Sequence, residues 1–196
     1  MIRPPSPFAL AAVIAWCVLA LAWIPGYVAA RGHAREPRRV DQRALQLAAT
    51  ALIFLSFVLL FTRNGLVHAM RVAPSSTALG ALGAALALAG IAFAIWARLA
   101  LGRNWSGLVM GVREGHELVQ SGPYAIVRHP IYAGMLLAML GTALTIGTLT
   151  AYLGVAAGLA GILVRVAIEE RMMAAEFGTA HAAYRERTKK LVPFVW

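Results

Sequence analysis

"HPIYAGMLLAMLGTALTIGTLTAYLGVAAGLAGILV", residues 129–164, runs for 36 positions without Asp, Glu, Lys or Arg. A helix crosses a bilayer core with about 20 apolar residues, so this run is long for one crossing and slightly short for two with a loop. Gly147-Thr148 lies near its middle and offers a tight turn. Both constraints are met by a hairpin of two short, closely paired helices, 131–146 and 149–164.

Outward from the hairpin the pattern repeats. Residues 8–30, 44–62 and 77–97 are uncharged over 23, 19 and 21 positions, each enough to span. The chain is 60% hydrophobic and 13% charged, far from the roughly 25% charged of soluble proteins. The expected fold is therefore an all-α integral membrane protein of five transmembrane helices. Arg3 and Val28-Ala29-Ala30 would suit a signal peptide, but the long apolar core with Trp16, Trp23 and Pro25-Gly26 favours a spanning helix. The single cysteine, Cys17, has no partner in the chain and is expected to be a small packing residue.

The net charge of +10 is explained by position. Five segments put the loops holding Arg31, Arg35, Arg38, Arg39 and Arg43, then Arg98, Arg103, Arg113 and Arg128, on one side with the C-terminal flank. That side holds 15 of the 18 basic residues, against Arg3, Arg63 and Arg71 opposite. Positive residues mark the cytoplasmic face, so the N-terminus is expected outside and the C-terminus inside. Topology and anionic lipid account for the charge without nucleic acid. The Arg-heavy basic set suggests a GC-rich bacterial genome, hence an inner membrane. Gly80, Gly83, Ala84, Ala87 and Gly90 recur at spacings of three and four, a small-residue face for close helix packing.

Polar chemistry is confined to the stretches flanking the hairpin. No Cys/His cluster marks a metal site, and no phosphate loop or Ser/His/Asp pattern stands out. Three clusters remain. "GHELVQSGPY" (115–124) has a polar start and a Gly-Pro turn before a tyrosine. In "VRHPIY" (127–132), Pro130 suits a first helical position and holds His129 extended. In "RVAIEER" (165–171), Arg165 and Glu169 lie four apart on one helical face. Each has a bland alternative: interfacial Arg and Tyr anchors, or a weak surface pair. All three nevertheless converge on the same mouth of the hairpin.

The ordered set Gly-His-x-Leu-Val (115–119), Gly-x-Tyr (122–124), Arg-His-Pro-x-Tyr (128–132), Glu169-Glu170, Phe177-Gly178 and the closing Pro193 resembles the isoprenylcysteine carboxyl methyltransferase family. That family belongs to a wider group of membrane methyltransferases. The likeness covers roughly the C-terminal half, from "LGRNWSG" (101–107) to "LVPF" (191–194). It implies S-adenosylmethionine as methyl donor in a cytoplasmic pocket made by the loop before the hairpin, the hairpin mouth and the following C-terminal helix. Carried over residue by residue, it implicates His116, Glu117, Leu118 and Val119, then Tyr124, then His129, Pro130, Ile131 and Tyr132, and Glu169 in cofactor binding. Arg165 corresponds to the arginine placed by the acceptor, and Arg165 with Glu169 is the catalytic pair. Ala167-Ile168 precede Glu169-Glu170 where some relatives have further acids, which leaves open which glutamate faces the cofactor; the spacing from Arg165 favours Glu169. The division implied is 1–97 as three N-terminal transmembrane helices and 98–196 as the methyltransferase core.

The acceptor is expected to be lipophilic and to enter through the bilayer. A lone arginine suits a carboxylate of the isoprenylcysteine type, free or on a prenylated partner. A phospholipid amine or a small thiol is the alternative within the same chemistry. A different class, a non-enzymatic membrane scaffold or transporter subunit, would read every cluster as an anchor.

Overall fold

The structure is a computed structural model that describes residues 6–31, 42–62, 70–105 and 117–193. Among these residues are five helices: α1 (Pro7–Arg31), α2 (Arg43–Phe61), α3 (Thr77–Leu101), α4 (Pro130–Ile146) and α5 (Leu149–Arg187). Two short 3-10 turns, Gly102–Asn104 and Gly122–Ala125, lie between α3 and α4. By length and composition α1, α2, α3 and α5 can each cross a bilayer, and α4 is a shorter apolar helix.

The helix ends follow from local chemistry. Ser76 caps α3, its hydroxyl accepting from the Leu79 amide at 3.1 Å. Pro130 opens α4, where a missing N–H leaves nothing unsatisfied. Gly147 closes α4 in the left-handed region (φ 73°), its amide donating to the Ala143 carbonyl at 2.7 Å. The chain before α3 then covers this turn: Leu149 N donates to Met70 O at 2.8 Å and Val72 N to Gly147 O at 3.0 Å.

In a bilayer there is no water to drive helices together, so association depends on close packing. The small-residue stripe of α3 supplies it. A Cβ at Gly90 would lie 2.5 Å from the Gly134 carbonyl oxygen, and one at Gly134 equally close to that of Gly90. Gly83 stands in the same relation to Gly141, a Cβ there meeting its carbonyl at 2.6 Å. Helix α5 uses the same device on α2, with Gly154 against Ser56 and Gly161 against Ala49. One polar pin joins α1 to α4, Trp16 Nε1–H donating to Thr142 Oγ1 at 3.0 Å within the buried cluster of Leu60, Ile91 and Met139.

The expected turn at Gly147-Thr148 is present, but its second arm is not short. Helix α5 covers 39 residues in two parts joined at a kink at Gly178, and the first part, 149–177, is about 43 Å long at 1.5 Å per residue, well beyond the hydrocarbon thickness. The charges that begin at Arg165 end its crossing without ending the helix, because Ile168 and Met172 keep a buried face beyond it up to the kink. The two arms touch, yet α4 packs more extensively on α3, and α5 on α2, than either does on the other. Gly178 (φ 47°, ψ −117°) bends the distal part of α5. Cys17 lies on an exposed face of α1 and does not pack inside the chain, because Trp16 and Leu19 take the inward positions.

Candidate active site at the charged end of the bundle

The first turn of α4 and the part of α5 just beyond the apolar crossing meet in a knot of charges. Pro130 forces the chain before it to be extended, and this presents Arg128 and His129 sideways to α5. Both side chains are almost fully buried, at 8% exposure each. Arg128 forms a two-pronged pair with Glu170, Nε to Oε1 at 2.8 Å and Nη2 to Oε2 at 3.3 Å. Its remaining Nη1 donates to the carbonyls of Thr188 and Arg185. This is the planar, bidentate geometry that arginine provides and lysine does not.

His129 sits between the two glutamates. Nε2 is 2.8 Å from Glu170 Oε1, and Nδ1 is 3.4 Å from Glu169 Oε2. Burial works against charging this ring, but hydrogen bonds and charge from Glu169 and Glu170 outweigh it, and the pKa is raised. An imidazolium donating from both nitrogens fits two carboxylate neighbours. Tyr132, less than one turn into α4, donates its hydroxyl to Glu169 Oε1. The rings of His129 and Tyr132 are near parallel with centroids 6.2 Å apart.

The returning chain closes the knot. After α5, Lys189 and Lys190 offer their carbonyls to the amides of Arg128 (2.8 Å) and His129 (3.0 Å), with Val127 and Lys189 forming a parallel bridge. Tyr184 donates its hydroxyl to the Tyr124 carbonyl at 2.6 Å. Tyr124 is itself buried, and burial, reinforced by the Glu169 charge, holds its phenol protonated well above the ordinary range. The segment 117–120 is tied at both ends. The Glu117 amide donates to Asn104 Oδ1 at 3.0 Å, and Gln120 Oε1 accepts from Arg187 at 2.7 Å.

Of the residues the sequence nominates, His129, Tyr132 and Glu169 are brought into direct contact, and Tyr124 lies within electrostatic reach of Glu169. Arg165 is buried one turn before Glu169 on α5 and near enough to Tyr132 for their charges to interact. Pro130 is buried at the start of α4, and Ile131 follows it half-buried. Glu117, Leu118 and Val119 lie in the tethered segment, with Glu117 exposed and the other two half-buried. His116 lies outside the described residues. The sequence left open which of Glu169 and Glu170 faces the cofactor, gave no site role to Thr188 or Tyr184, and placed Arg128 only as a boundary cation. The signal for Glu170 and Arg128 was available: two adjacent acids facing an Arg-His pair can satisfy both bases at once.

The two glutamates divide the work. Glu170 is consumed by Arg128, His129 and, at 3.6 Å, Arg185, and its side chain is 12% exposed. Glu169 holds Tyr132 and His129 and its side chain is 26% exposed. A partly open carboxylate between a phenol and an imidazole, with a second buried phenol nearby, is a donor–acceptor set that suits a nucleoside bearing hydroxyls, an ammonium and a second cationic centre.

The chain is similar to several known proteins. Residues 83–175 match the model of the isoprenylcysteine carboxyl methyltransferase (ICMT) family. The chain is 35% identical over 127 residues to the cobalt-zinc-cadmium resistance protein CzcN of Cupriavidus metallidurans, covering 62% of this chain and 51% of that protein. It is 48% identical over 71 residues to methanethiol S-methyltransferase 2 of Bradyrhizobium diazoefficiens, covering 36% of this chain and 26% of the relative. The protein-S-isoprenylcysteine O-methyltransferase of Schizosaccharomyces pombe is 31% identical over 96 residues, covering 48% and 41%. A solved structure of the eukaryotic intramembrane Ras methyltransferase ICMT superposes with a TM-score of 0.51 at 25% identity, covering 81% of this chain and 55% of that one. The chain thus spans about half or less of the length of the curated relatives it matches.

Proposed function

We propose, for a chain whose residues 83–175 carry the isoprenylcysteine carboxyl methyltransferase family match, that the protein is an integral membrane methyltransferase. It moves a methyl group from S-adenosylmethionine to a lipophilic acceptor, a carboxylate of the isoprenylcysteine type. The observation that carries this reading is the contact of His129 with Glu169 at 3.4 Å, which joins the mouth of α4 to the polar extension of α5. Core residues 98–196 hold the chemistry, and the charged end faces the cytoplasm of a bacterial inner membrane, as the basic residues direct.

Bound S-adenosylmethionine supplies an electrophilic methyl group on a sulfonium. Glu169 accepts from its ammonium or ribose hydroxyls, Tyr124 and Tyr132 offer ring faces, and the backbone of Leu118 and Val119 with His116, Glu117, Pro130 and Ile131 completes the binding wall. Glu170 and Arg128 do not contact the donor; they fix His129 and the strap from Thr188 to Lys190 against α4. Arg165 holds the acceptor carboxylate in a fixed orientation. A carboxylate arrives already ionised near neutral pH, so no base has to be released. That suits a site whose Glu169 is already shared by Tyr132 and His129. Attack on a sulfonium cancels opposite charges and is favoured where water is excluded and the partners are aligned.

A small-thiol acceptor is the second reading, favoured by the similarity to methanethiol S-methyltransferase 2. A thiol must lose a proton first, and Glu169 is the group placed to receive it. Membranes holding the protein, given labelled donor and a panel of a prenylcysteine, methanethiol and phosphatidylethanolamine, decide between these. Methylation of the prenylcysteine, lost in Arg165→Ala, supports the carboxylate. Turnover confined to methanethiol, rising with pH towards the thiol range near about 8.5, replaces it. No turnover with any of the three removes the acceptor assignment.

A further inference from the structure

Beside Arg128 lies a cavity of about 420 Å³, lined by Arg128, Ala182, Arg185, Glu186, Thr188, Lys189 and Lys190. Nothing in the proposed methyl transfer uses it. Four cations stand in its lining against the single carboxylate of Glu186, with Glu170 behind the wall paired to Arg128 and Arg185. Its rigid elements are well anchored: Thr188 is buried, with its hydroxyl donating to the Tyr184 carbonyl at 2.7 Å. The carbonyls of Lys189 and Lys190 are fixed by the amides of Arg128 and His129, so the position of both lysine Cα atoms is set by the fold.

The position of the cavity indicates the source of its ligand. Arg128 is two residues before Pro130, the first residue of an apolar helix. Just past Lys190 the chain becomes apolar again, with Leu191 buried and Val192 48% exposed. Cations are thus set at the level where a membrane helix emerges, beside an exposed aliphatic side chain. We propose that this cavity binds the phosphodiester headgroup of an anionic phospholipid, anchoring the strap over α4 to the leaflet. The exposed Arg185 with Lys189 and Lys190 supplies donors for a phosphate oxygen, Arg128 staying with Glu170 and the strap carbonyls as the cation of the wall, and the acyl chains run past Val192 into the bilayer.

The test uses the full chain in phosphatidylcholine nanodiscs doped with increasing phosphatidylglycerol, read by native mass spectrometry for retained lipid and by thermal melting. The wild type retains phosphatidylglycerol over phosphatidylcholine and melts higher as it is added. In Lys189→Gln/Lys190→Gln the preference falls by about fivefold per lysine removed, with helicity unchanged because the backbone carbonyls that hold Arg128 and His129 remain. Lys189→Arg/Lys190→Arg restores it. Equal retention of both lipids by the wild type, or an undiminished preference in the double glutamine variant, overturns the proposal. Millimolar inorganic phosphate reproducing the melting shift in pure phosphatidylcholine would reassign the site to the free ion and overturn the lipid anchor.

Discussion

Helix α4 is held at its middle and at its start by opposite means. Where it crosses α3, Gly134 and Gly90 bring backbone against backbone, and the contact exists because side chains are missing. At its first turn Arg128 and His129 interlock with Glu169, Glu170 and the carbonyls of the returning chain, and that contact exists because every side chain is used. Lipid explains the difference. Hydrocarbon gives helices no hydrophobic reason to associate, so only close approach remains. At the polar end a buried charge is tolerated only when its partners are complete.

That contrast is broken most severely by removing one partner of the charge knot. Arg128→Ala takes the two-pronged partner from Glu170, which keeps His129 and Arg185, leaves the Thr188 carbonyl buried without that donor, and should cost about 3–5 kcal/mol, seen as a large drop in the melting temperature of the solubilised protein. Arg128→Lys should recover only part of it, because a lysine cannot span both oxygens and two carbonyls. If Arg128→Ala melts like the wild type, the knot is not what holds α4 to α5.

The apolar end responds to addition rather than removal. Gly90→Leu places a side chain where the Gly134 carbonyl and the Ala138 amide already sit, and overpacking of this kind costs about 1–3 kcal/mol. The same exchange at Gly102, which has open space around it but a positive φ, should disturb no helix contact and leaves only its local backbone strain. A smaller effect is expected from Tyr184→Phe, which deletes the hydrogen bond to the Tyr124 carbonyl, about 1 kcal/mol by melting. The smallest is a pH slope. His129 has a raised pKa in the fold, so its contribution is complete below about 6.5, its value in an unfolded chain, and is lost as pH rises through the folded value. A melting series over that window should slope downward in the wild type and flatten in His129→Gln.

Much of the apolar end was legible in the sequence, because it depends on composition and period. Charge-free runs give the segments, Gly147 the turn, and the stripe from Gly80 to Gly90 the face that α3 buries. The polar end was legible only as motifs. Glu169 and His129 could be paired through the family likeness, whereas the strap could not. Thr188 lies 60 residues from Arg128 and meets it through a backbone carbonyl, which has no signature in residue type. The length of α5 was missed for a related reason. A rule that ends a segment at its first charge finds the edge of the bilayer, and α5 continues past Arg165 to the kink at Gly178 on the strength of Ile168 and Met172.

Calorimetry of the solubilised chain with S-adenosylhomocysteine tests the joined pocket most directly. One molecule should bind per chain, about tenfold or more weaker in Glu169→Ala and in Tyr124→Ala, compared at a temperature where each unliganded variant is still folded. Absence of binding to the wild type, or unchanged affinity in both variants, would contradict the assignment of this charged end to a methyl donor.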